Sequence, residues 1–218
     1  MRVKINGVLT ERELEIIIGC GADEVGIFIG QQYASPFFIL PSTAARLVKM
    51  LPPGICPVMD THITDHHELL SLMERSGIYT VQLHCWKQDE VLKLRERLPH
   101  YAKILLNLFP ASPNFNHEDI TLCNQIADGI SVDCFNYEPG NNSGSYGFPD
   151  WEAATGISGS LNAPWWLNGG LCAENVGNAI QKTGPFGVEA DILLRQDGIL
   201  NAEQCRKFVT MAKNNGSN

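Results

Sequence analysis

Short apolar runs alternate along the chain with longer stretches in which apolar residues recur at helical spacing. The short runs predict strands over residues 2–5, 24–29, 55–59, 80–83, 103–106, 129–133, 165–167 and 187–192. They are apolar at consecutive positions, as strands of a covered parallel sheet are. Helices are predicted between them. Thr10, followed by Glu13 three residues on, forms a capping box ahead of the Leu14, Ile17 and Ile18 stripe, and Gly19 and Gly21 end that helix. Pro41-Ser42 precede a helix over 44–51, which Pro52-Pro53-Gly54 stop. Thr64-Asp65 cap 66–76, with Leu69, Leu70, Leu72 and Met73 turned inward. Further helices are predicted at 86–98, 117–127, 173–183 and 202–213. This alternation in 218 residues predicts eight strand–helix units, an α/β fold built as one (β/α)8 TIM barrel over residues 1–218. A doubly wound open sheet is the alternative, but no glycine-rich dinucleotide turn follows the first strand. The stretch 136–148, rich in Gly, Asn, Ser and Tyr, is predicted as a mobile loop over the barrel mouth.

Composition narrows the partners. With 44% hydrophobic and 18% charged residues the chain has enough apolar material for one packed domain. No run approaches the roughly 20 apolar residues needed to span a bilayer. The strand pattern begins almost at residue 1, so no secretory leader is expected, and the expected location is cytoplasmic. The net charge of −8 comes from scattered acidic residues without a basic run, which argues against nucleic acid or an anionic membrane as partner. A small-molecule substrate is expected, on a monomer or homodimer. The seven cysteines are odd in number and form no CxxC pair, which reads as free, reduced thiols.

Several short motifs, in order and at fitting intervals, carry a family resemblance. They are Val3-Lys4-Ile5-Asn6-Gly7, Ala22-Asp23-Glu24-Val25-Gly26, Leu51-Pro52-Pro53-Gly54, Val81-Gln82-Leu83-His84, and Asn168-Gly169-Gly170-Leu171 followed by Glu174-Asn175-Val176. Together they resemble phosphoribosylanthranilate isomerases over nearly the whole chain. The resemblance implies a barrel that needs no cofactor or metal, and an Amadori rearrangement in tryptophan biosynthesis. In that reaction a ribosylamine ring opens, a proton leaves C2, and an aminoketose results. The general acid implied is Asp133, closing Ile130-Ser131-Val132-Asp133, although a strand-end aspartate can also simply cap the next loop. The family's base is the cysteine of Lys-Ile-Cys-Gly. Here that position is Asn6, whose amide cannot take a proton near neutral pH. Cys85 and Cys134 are candidate replacements, but free cysteines more often serve packing.

Two further departures concern the substrate. The family's arginine after strand two, which holds a carboxylate, is replaced in Ser35-Pro36-Phe37-Phe38 by an aromatic surface. The family's strand-eight phosphate segment reads Val188-Glu189-Ala190-Asp191-Ile192-Leu193-Leu194-Arg195, with Asp191 in place of a serine. A carboxylate there repels phosphate, and Arg195 offers compensating charge. Gly169 and Gly170 retain the other half of the cradle.

In a barrel, residues near the C-terminal strand ends face the ligand. Asp133, Asn6 and His84 are thus the catalytic candidates, the last two as orienting groups. Lys4, Phe37, Asp60, Gln82, Asn168, Gly169, Gly170, Asp191 and Arg195 are the substrate-binding candidates. Asp60, His62, His84 and Asp133 offer nitrogen and oxygen donors, yet no metal is expected, since the resembled family uses none. The leading expectation is a divergent, isomerase- or lyase-type enzyme of specialised metabolism, with altered chemistry on a small amine-linked or aromatic metabolite. The alternatives are an authentic phosphoribosylanthranilate isomerase with a displaced base, and a non-catalytic ligand- or partner-binding barrel.

Overall fold

The computed structural model describes residues 1–30, 32, 35–134 and 151–216. Eight parallel strands close into a barrel in chain order: β1 (Arg2–Asn6), β2 (Glu24–Phe28), β3 (Cys56–Thr61), β4 (Thr80–Leu83), β5 (Lys103–Leu108), β6 (Gly129–Asp133), β7 (Trp165–Asn168) and β8 (Gly187–Ala190). Strand β1 pairs with β2 on one side and β8 on the other, which seals the seam. The helices are α1 (Glu11–Cys20), α2 (Pro41–Val48), α3 (His66–Ser76), α4 (Gln88–Arg97), α5 (Glu118–Ile126), α6 (Trp151–Ser158), α7 (Val176–Thr183) and α8 (Ala202–Asn215). Among the described residues no helix is long and apolar enough to cross a membrane.

Local chemistry sets most helix ends. Thr10 Oγ1 accepts from Glu13 N at 3.2 Å, and Gly21 closes α1 in the left-handed region at φ 78°. Asp65 caps α3 by accepting from Glu68 N at 2.8 Å. Glu13 departs from the predicted box: its carboxylate accepts from Leu9 N at 2.8 Å and from Leu200 N at 3.0 Å.

Helix α6 was not among the predicted helices, and the structure adds a small hairpin pairing Arg195–Gln196 with Ile199–Leu200. Strand β8 stops at Ala190, two residues early, because Ile192–Leu194 turn into a 3-10 helix. Strand β3 runs to Thr61, past the predicted Met59. The loop predicted at 136–148 lies outside the described residues.

The strands have two different faces. Val3, Ile5, Val25, Ile27, Val81, Ile104, Ile130 and Val132 are fully buried with Leu14, Ile17, Leu69 and Leu94 of the helices in one apolar cluster. The alternate positions of β1, Lys4 and Asn6, are polar and buried, as are Asp60, Gln82, Ser131 and Glu189 on other strands. Bulky branched residues usually fill this space in such barrels. Gly26 makes room for the polar layer: a Cβ there would collide with Asn6 Oδ1 and Asp60 Oδ2.

Candidate active site

The centre of the polar layer is Lys4. Its ammonium lies 2.5 Å from Glu189 Oε2 and 3.8 Å from Asp60 Oδ1, and it donates to Gln82 Oε1. Ser131 also donates to Glu189, and Asn6 Nδ2 does so at 2.9 Å. Burial alone would lower the Lys4 pKa, but Asp60 and Glu189 outweigh it and raise it. Burial likewise opposes ionisation of Glu189, yet Lys4 with the Asn6 and Ser131 hydrogen bonds pulls its pKa below the usual range. Both groups therefore stay charged, which buried ions do only when paired and hydrogen-bonded.

Above this layer a cavity of about 620 Å³ opens at the C-terminal strand ends. Asn6, Asp133 and Asn168, each the last residue of its strand, line it, with Gly169-Gly170 and Asp191 beside them. Phe28, Phe37, Phe38 and Phe109 supply aromatic walls, and His62, His84 and Cys85 line the side above β3 and β4. The volume lies within the ~300–1,000 Å³ common for small-molecule sites.

Each polar group at the cavity is set by its neighbours. His84 Nδ1 accepts from Asn107 Nδ2 at 3.2 Å, which places the ring proton on Nε2, 3.5 Å from Asp60 Oδ1. His62 stacks on His84 with centroids 5.1 Å apart. Burial, then the neighbouring His84, depresses its pKa to about 4, with Asp60 acting in the opposite sense. Asp191 Oδ1 accepts from Arg195 Nε at 2.8 Å. Burial raises the Asp191 pKa to about 6 against the attraction of Arg195, and Asp60 and Glu13 add to the rise.

The sequence candidates thus divide. Asp133, Asn6, His84, Phe37, Asn168, Gly169, Gly170 and Asp191 meet at one cavity. Lys4, Asp60 and Gln82 do not line it. They are fully buried in the layer below, because their positions along β1, β3 and β4 precede the strand ends. Arg195 does not line it either. Its guanidinium donates to Asp191, to Glu13 Oε1 at 3.0 Å, and to the carbonyls of Gly7, Gly198 and Asn6, while stacking 4.7 Å from the Phe37 ring centroid. All five N–H donors are engaged, so Arg195 is a brace rather than a ligand cation. The Asp60, His62, His84 and Asp133 set does not bring three such donors within 4.8 Å; among the described residues only Asp65, His66 and Glu90 come that close.

Sequence reading missed Glu189 and Ser131. The available signal was strand parity: a charged residue between Val188 and Ala190 on a buried strand must point inward toward the Lys4 side.

The closed eight-stranded α/β barrel carries, at its C-terminal mouth, a cavity lined by Asp133, a glycine turn and aromatic walls, the place where barrels of this architecture hold small-molecule active sites. Sequence comparison agrees. The family model described as N-(5'phosphoribosyl)anthranilate (PRA) isomerase matches residues 3–211, and the chain belongs to that family of isomerases. N-(5'-phosphoribosyl)anthranilate isomerase 2 of Methanosarcina mazei is 31% identical over 217 residues, covering 98% of this chain and 95% of that one. The phosphoribosyl anthranilate isomerase of Thermotoga maritima superposes with a TM-score of 0.82 at 22% identity, over 98% of this chain and 99% of that one. A phosphoribosyl anthranilate isomerase solved with reduced 1-(o-carboxyphenylamino)-1-deoxyribulose 5-phosphate superposes with a TM-score of 0.77 at 23% identity, over the same shares.

Proposed function

We propose that this chain isomerises an N-linked aldosylamine to the corresponding 1-amino-ketose, with phosphoribosylanthranilate as its substrate. The observation that carries the reading is that Asp133 and the Gly169-Gly170 turn, side by side at the ends of paired strands β6 and β7, line one aromatic-walled cavity, in a chain related end to end to a named isomerase. Asp133 delivers a proton to the ring oxygen as the C1–O bond breaks. Gly169 and Gly170, at φ 97° and 65°, line the cavity, with the Gly169 N–H donating to Asn168 Oδ1 at 2.7 Å, and this turn receives the phosphate. The phenylalanines receive the planar aromatic amine. Asn6 is tied to Glu189 and serves as an orienting group, not a base.

The test is turnover of phosphoribosylanthranilate by the purified chain, together with complementation of a tryptophan auxotroph lacking the isomerase. Turnover that falls at least ~100-fold in Asp133→Asn is expected. Absence of both turnover and complementation refutes the reading.

A second reading rests on the family resemblance read from the sequence, which sets Phe37 at the position of a carboxylate-binding arginine and Asp191 at that of a phosphate-binding serine. It holds that the substrate is an aldosylamine lacking the anthranilate carboxylate or the phosphate. It predicts that such an analogue outcompetes phosphoribosylanthranilate in kcat/KM.

A further inference from the structure

We propose that Asp191 is the general base of this barrel, filling from strand β8 the role that Asn6 cannot fill on β1. The assignment rests on the isomerase reading above and goes beyond it, since Asp191 was read from sequence only as a substrate contact.

Position comes first. Asp191 directly follows β8, the strand paired with β1, and it lines the same cavity as Asp133. Its carboxylate stands over the end of β1: a Cβ at Gly7 would lie 3.0 and 3.2 Å from its two oxygens. Orientation comes second. Arg195 holds Oδ1, and Glu13, Gly7 and Gly198 hold Arg195 in turn. Oδ2 has no hydrogen-bond donor among the described residues, which leaves it for a substrate proton. Such a fixed carboxylate is what a proton-abstracting group requires.

The competing acceptors fit less well. The lone pair of His84 is occupied by Asn107, and its Nε2 lies 3.5 Å from Asp60 Oδ1. His62 is too weak a base, with its pKa near 4. Burial pushes the Cys85 thiol above its ordinary pKa, so it carries little thiolate at neutral pH. Asp191, titrating at about 6, is ionised at neutral pH yet basic enough to accept a proton. The charges facing it are Arg195, Asp60 on β3 and Glu13 on α1.

The chemistry balances without a co-reactant. Asp133 protonates the ring oxygen, and the nitrogen lone pair forms C1=N as C1–O breaks. Asp191 takes the C2 proton; the C2–H pair becomes C1=C2, and the C1=N pair returns to nitrogen. Asp133 then accepts the enol proton while Asp191 returns its proton to C1. The aminoketose leaves, and both carboxyls regain their starting states.

The experiment uses the full chain and phosphoribosylanthranilate. Asp191→Asn is expected to lower kcat at least ~100-fold with KM within about threefold. It also erases the acidic limb of the kcat/KM profile near pH 6, and Asp191→Glu retains more kcat than Asp191→Asn. Thermal melting confirms that each variant is folded. Undiminished kcat, or an unchanged acidic limb, in Asp191→Asn overturns the base assignment and leaves the isomerase reading standing. No turnover by the unaltered chain overturns both.

Discussion

Replacing Asp191 by asparagine should stabilise the protein at neutral pH, and the gain should vanish in acid. The Asp191 carboxyl titrates near 3.8 when unperturbed and at about 6 in the folded chain. The folded state therefore binds more protons than the unfolded state between these values. Stability from this group is fully present below pH 3.8 and is lost as pH rises through 6. Two pK units correspond to about 3 kcal/mol of charge held at a cost. The side chain is only 16% exposed, so solvent screening removes little of it. Asparagine keeps the acceptor for Arg195 and carries no charge to desolvate. The assay is urea unfolding of both proteins from pH 4 to 8, plotted as the difference between them. That difference should rise by about 1.4 kcal/mol per pH unit between roughly 4 and 6, and then level. Thermal midpoints should separate by roughly 2–4 °C per kcal/mol for a chain of this size. A flat difference curve, or one that favours the unaltered chain as pH rises, refutes the reasoning. A variant that is more stable and less active would mark strain held at the site for function.

Other outcomes follow from the layer below. Gly26→Ala places a methyl against Asn6 and Asp60, and should cost about 1–3 kcal/mol in urea unfolding. Lys4→Met strands Glu189 and Asp60 without their cation and should cost about 3–5 kcal/mol; adding Glu189→Leu should recover part of that loss in a double-mutant cycle. His62 should titrate with a midpoint near 4 by proton NMR, and its contribution to stability should decline as pH falls below 6.5. Cys123 and Cys205, pushed up to about 12 by burial, should resist thiol reagents in the native state, whereas exposed Cys85 reacts first.

Much of the barrel was legible because its signals are local. Apolar runs marked all eight strands, and Thr10, Asp65 and Gly21 marked helix ends, whereas Gly19, expected to end α1, lies inside it. Helix α6 escaped because Trp151–Ser158 are few, contain Gly156, and follow a long polar stretch. The strand ends gave Asp133, Asn168 and the glycine turn at the mouth. What sequence could not give was depth. Lys4, Asp60 and Gln82 share their strands' inward face with mouth residues, and only register separates floor from mouth. Nor could it give the role of Arg195, whose partners Glu13 and Gly7 are more than 180 residues away.

That last separation bears on assembly. The guanidinium joins the end of the first strand, the first helix and Asp191 just after the eighth strand, across 182 residues to Glu13 and 188 to Gly7. Contacts this remote in sequence are entropically the dearest to form and cannot exist until Arg195 has left the ribosome. Asp133 on β6 and the glycine turn after β7 can take shape earlier. The carboxylate at 191 is fixed only when the first and last strands meet, so the machinery for proton abstraction is completed at ring closure.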